Sequence, residues 1–175
     1  LPLSEFLVPP ASKRDIKRLA LTIRKKFGLE HNALFPVVEM IEVVLPVFDP
    51  QFNFEIVEDC ECGLDEANYD PRHNLMRIRQ SVYDGAYNCN GRDRFTLAHE
   101  FGHYFMHRDV DLALSRIIDR RSVPAYCNSE WQANTFASAL LMPDHIIKDM
   151  RPDQIAKICG TSLSAAEIAY KQKKK

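Results

Sequence analysis

Apolar residues along this chain follow two rhythms. Ile16, Leu19, Ala20, Ile23 and Phe27 recur at three- and four-residue steps, which puts them on one face of a helix. Ser12 and Asp15 precede them as a capping-box variant and Gly28 ends the stripe. A second helix is expected to start at Pro36, carry Val37, Val38, Met40, Ile41, Val44 and Leu45, and stop at Pro46. From Phe52 to Tyr87 the rhythm shortens to alternation. Phe54-Glu55-Ile56-Val57 and Leu75-Met76-Arg77-Ile78-Arg79 read as short strands separated by the turn-rich run Asn68 to Asn74, so a small antiparallel or mixed sheet is expected.

Asn88 to Gly91 breaks that pattern. A long helix follows from about Arg92 to about His107, with Phe95, Leu97, Ala98, Phe101, Gly102 and Phe105 on its buried side. Another runs from Glu130 to Met142 and ends before Pro143. The tail offers two short helices, Asp153 to Cys159 and Ser164 to Tyr170, joined through Gly160. Helices, then a short sheet, then helices predict an α+β fold. A chain of 175 residues, 46% hydrophobic, can bury one core and is expected to form one domain. Its parts are N-terminal helices over 1–50, the sheet over 51–87, two chemistry-bearing helices over 92–143 and short helices over 144–175.

Charge narrows the partners. Lys and Arg number 23 against 24 Asp and Glu, so no global field favours nucleic acid or an anionic membrane. No apolar run approaches the roughly 20 residues that span a bilayer, and Leu1 to Pro10 lacks a basic leader, which predicts a soluble, non-secreted protein. The 5 cysteines show no pairing rhythm, as expected of reduced thiols in a cytoplasm. Cys60-Glu61-Cys62 is tighter than a structural zinc clip and has no second pair nearby.

The candidate chemistry lies in His99-Glu100-Phe101-Gly102-His103. Histidines four apart on a helix stand one turn apart on one face, so both imidazoles can meet one zinc ion. Glu100 is rotated by about 100° from that row, which suits a general base acting on water at the metal better than a ligand. Such a base would take a proton from the attacking water and return it to the leaving amine. Gly102 inside the helix costs about 1 kcal/mol relative to Ala, and a close approach by another segment would explain it.

Three residues compete for the third ligand. His107 continues the histidine series but stands about 12 Å along the axis from His99, which fits a supporting role better. Asp109 falls where an extended metzincin motif has its last ligand, yet Met106 replaces the glycine that would turn the chain back. Glu130, at the start of the second helix, could aim a carboxylate at the same ion in gluzincin fashion, and it is preferred. Its bland alternative is an acid in a first helical turn, with Ser129 and Gln132 as a capping box. Asn134, one turn on, could hydrogen-bond a ligand. His31, His73 and His145 lack metal-like spacing, and no rule selects Tyr104 or Tyr126 to polarise a carbonyl.

Two blocks carry a family resemblance. The run from Phe95 to His107 resembles the active-site helix of the ImmA/IrrE zinc metallopeptidases of bacteria and their mobile elements, and the run from Glu130 to Pro143 resembles that family's second signature. The resemblance implies a small gluzincin-like core holding one zinc ion per chain, with His99, His103 and Glu130 as ligands and Glu100 as the catalytic base. It further implies a cytoplasmic regulator that cleaves or otherwise relieves a helix-turn-helix repressor, and an edge strand, Leu75 to Gln80, that pairs with the substrate backbone, the alternative being an ordinary edge strand protected by Arg77 and Arg79.

Two other classes compete. Asp153 to Tyr170 has the look of a helix-turn-helix. Its second helix carries Glu167 and lacks a run of base-reading side chains, so packing or partner docking is expected and direct nucleic-acid binding is not. A zinc protein that sequesters its partner without cutting is the other alternative, weakened by the presence of Glu100.

Overall fold

The computed structural model describes residues 7–61, 65–110 and 124–173. Helix α1 (Lys13–Lys26) begins as the capping pattern requires, with Asp15 N donating to Ser12 Oγ at 3.2 Å. Its stripe of Ile16, Ala20 and Ile23 is buried against α6 (Ser129–Leu141). Arg24, on the same stripe, has no exposed surface, and its Nη1 donates to the Leu140 carbonyl at 2.6 Å.

The second helical segment departs from expectation at Pro46. After α2 (Val37–Glu39) the chain widens into a π-helical turn (Met40–Val44), where Leu45 N reaches back five residues to the Met40 carbonyl, and then tightens into α3 (Leu45–Phe48). Pro46 thus sits in the first turn of a new segment, where a missing N–H costs nothing, and the helix passes through it.

The sheet is mixed, one of the two forms expected, and it corrects two readings. β1 (Asn53–Val57) and β3 (Leu75–Arg79) pair parallel, and β2 (Ala67–Asp70), hidden in the run read as turn, lies antiparallel on the far side of β3. The order β1-β3-β2 makes β3 central, so Leu75 to Gln80 is not an edge available to a substrate. Only the end of the supposed turn is a turn: Arg72 N donates to Asp70 Oδ1 at 2.9 Å, and Asn74 takes the left-handed conformation at φ 48°. Beyond β3 the alternation stops, and α4 (Gln80–Tyr87) buries Val82 and Ala86 at helical spacing.

Asn90 caps the long helix α5 (Gly91–His107), accepting from Arg92 N and Asp93 N. Asn128, not Ser129, caps α6, accepting from Trp131 N at 2.9 Å. The two helices cross at Gly102, where a Cβ would stand 3.1 Å from Phe136 Cδ1 and 3.2 Å from Ala133 Cα. The close approach sought for that glycine is therefore a helix. After α7 (Asp144–Ile147), α8 (Pro152–Cys159) and α9 (Leu163–Lys173) fold back through Gly160, left-handed at φ 63°. Arg94 of α5 clamps that turn, donating from Nε to the Gly160 carbonyl at 2.9 Å and from Nη2 to the Phe35 carbonyl at 2.6 Å. No helix among the described residues is long and apolar enough to cross a membrane.

Candidate metal centre

The crossing at Gly102 brings the first turn of α6 beside the histidine face of α5. His99 Nε2 lies 3.2 Å from Glu130 Oε2, and His103 Nε2 lies 3.2 Å from Glu130 Oε1. The two Nε2 atoms face each other at 3.0 Å, and one ligand atom from each of the three residues lies within 4.8 Å of the others. This donor set fits a divalent cation of zinc type. Two neutral imidazole nitrogens and a carboxylate, directed at one point, leave room for a further ligand. Glu130 Oε1 is buried without a hydrogen-bond partner among the described residues, an expense that a cation at that point would remove.

The electrostatics agree with an anionic Glu130. Burial alone would raise its pKa, but His103 and His99 beside it outweigh that and hold it down at about 2. For His99, burial disfavours the charged form, while Glu130, Glu100 and Asn134 together raise the pKa above the ordinary value. Glu100 is buried, and burial raises its pKa against the pull of His103 and His99. The nearby Tyr69 backbone also opposes that rise, which sets Glu100 beside strand β2.

Both histidines are braced from behind. His99 Nδ1 meets Asn134 Oδ1 at 3.1 Å, the contact expected of a residue one turn beyond Glu130. His103 Nδ1 meets His107 Nδ1 at 3.0 Å, and His107 Nε2 meets Gln132 Oε1 at 3.0 Å. His107 therefore supports the triad and does not join it. Burial, then the neighbouring His103, pushes its pKa down to about 4. Gln132 escaped sequence reasoning because its position resembled a capping box. In the fold it is buried, and its amide nitrogen donates to the carbonyls of Pro9 and Tyr126 at 2.9 and 2.8 Å.

Other candidates lie apart. The Asp109 side chain is 95% exposed and neighbours Arg108. Tyr104 is buried and donates its hydroxyl to Asp49 Oδ2 at 2.9 Å. His73 pairs with Asp70, and His145 with the Glu30 carbonyl. Cys60 is exposed, and Cys62 lies outside the described residues.

An α+β domain whose two crossing helices converge two histidines and a glutamate has the form of a metallopeptidase domain, and the comparisons bear on that class. Residues 57–161 match the family Peptidase_M78, the IrrE N-terminal-like domain, and the chain belongs to that family. It is 34% identical over 113 residues to the radiation response metalloprotease IrrE of Deinococcus radiodurans, covering 61% of this chain and 30% of that protein. To the radiation response metalloprotease IrrE of Deinococcus deserti it is 33% identical over 108 residues, covering 61% and 34%. The chain thus matches about a third of the length of these relatives. A transcriptional regulator of Mycobacterium tuberculosis shares the fold with TM-score 0.58 at 13% identity, over 87% of this chain and 45% of that one.

Proposed function

We propose that this domain is a zinc-dependent peptidase acting in the cytoplasm on a protein substrate, a helix-turn-helix repressor, so as to relieve repression. The observation that carries the reading is the convergence of His99 Nε2, His103 Nε2 and the Glu130 carboxylate on one point. These three residues would hold the ion. When bound, zinc would polarise the scissile carbonyl and acidify water at the site. Glu100, kept basic by its burial, would accept a proton from the attacking water on its carboxylate and deliver it to the leaving amine nitrogen.

Strand β2 supplies the substrate edge in this reading. Arg79 N donates to the Glu66 carbonyl at 3.1 Å, so in the same register Asn68 with Arg77 and Asp70 with Leu75 exchange hydrogen bonds. The backbone groups of Ala67 and Tyr69 then point to the outer edge, where an extended peptide would meet them beside Glu100.

Zinc content of the folded wild type, His99→Ala and Glu130→Ala proteins tests the reading. One zinc per chain, lost in both variants, supports it. A folded wild type that takes up no zinc overturns it.

A further inference from the structure

We infer that His107 and Gln132 are positioning residues that fix which nitrogen of His103 carries its proton, so that Nε2 is left bare for the metal. The inference rests on the metal-site reading above and concerns residues behind the site.

Gln132 Nε2 faces two carbonyls, those of Pro9 and Tyr126, and carbonyls only accept. That settles the orientation of the amide, and it is Oε1 that faces His107 Nε2 at 3.0 Å. His107 must therefore carry its proton on Nε2. A neutral imidazole protonated there has a bare Nδ1, which can only accept from His103 Nδ1 at 3.0 Å. With its proton on Nδ1, His103 turns a lone pair at Nε2 toward Glu130 and His99. His99 reaches the same state in one step, through Asn134 Oδ1.

The two braces have different anchors. Asn134 lies on α6 itself, whereas the His103 relay ends partly on residues before α1. Val8 N donates to the Cys127 carbonyl and Ala11 N to the Tyr126 carbonyl, both at 3.0 Å, so the segment around Pro9 is strapped to the entrance of α6. His103, unlike His99, is thus oriented by the seating of the chain's first described residues. Asparagine at 107 can place Oδ1 near the site of the imidazole Nδ1, while leucine preserves bulk and offers no acceptor.

The test has two parts. Long-range proton-nitrogen NMR spectra of the metal-free wild type read the tautomers directly, with Nδ1–H expected on His103 and Nε2–H on His107. A His103 protonated on Nε2 overturns the relay whatever the variants do, including a His107→Leu protein that fails to fold. Zinc affinity, by competition with a chromophoric chelator, should fall roughly 10- to 100-fold in His107→Leu and return to within about threefold of wild type in His107→Asn. If His107 only filled space, leucine would perform at least as well as asparagine, and that ranking overturns the proposal. A wild type that takes up no zinc but shows the expected tautomers defeats the metal reading and leaves the relay geometry standing.

Discussion

Gly102 and Ala133 meet where α5 crosses α6, so closely that a Cβ on Gly102 would stand 3.2 Å from the Ala133 α carbon and 3.3 Å from its carbonyl oxygen. This contact sets the separation of the two helices that carry the three converging side chains. Gly102→Ala pits a helix-propensity gain of about 1 kcal/mol against overpacking of about 1–3 kcal/mol. Two of the three nearest atoms are backbone and yield little, so the steric cost should prevail. The expected result is a lower urea midpoint together with weaker zinc binding. A raised midpoint would show that α6 can shift aside.

Glu100→Gln retains shape and hydrogen bonding but cannot take a proton. Zinc content should stay at the wild-type level while peptide-bond hydrolysis falls by about 10²–10⁴-fold. Should regulation in cells survive the substitution intact, the domain acts by sequestration and not by cutting.

Asp49 ties α3 to the sheet and to α5. The Asn74 side chain, opposed by burial and then reinforced by the Tyr104 hydroxyl, the Gln51 backbone and Arg108, holds its carboxyl below the ordinary range. A depressed folded-state pKa contributes stability above the unfolded value of about 3.9, and that contribution is lost as pH falls through the folded value. The urea midpoint of Asp49→Asn should therefore lie well below wild type at about pH 7, and the gap should begin to narrow as pH falls below about 3.9. A gap independent of pH would mean that Asp49 acts through shape alone.

The helices were legible because their signals are local. Capping at Ser12 and the stripe from Ile16 to Ile23 predict α1, and the spacing of His99 and His103 survives into the fold unchanged. What stayed hidden depended on partners distant in sequence. Ala67 to Asp70 carries turn-forming residues and becomes a strand only because Met76 and Ile78 lie opposite. Parallel pairing of β1 with β3 leaves no trace in alternation, and Val82 and Ala86 show their helical period only over a short segment. The π turn before Pro46 could not be read from composition. Gln132 looked like a cap because its distant acceptors, Pro9 above all, are invisible to any local window.

The burial of α1 against α6 also bears on how the molecule comes into being. Ile16, Ala20 and Ile23 leave the ribosome long before Phe136 and Leu140, so the earliest amphipathic helix waits for its partner. At synthesis rates of about 5–20 residues per second, that wait is on the order of ten seconds. Throughout it, the stripe on α1 is a surface that chaperones can hold and that other nascent chains can stick to.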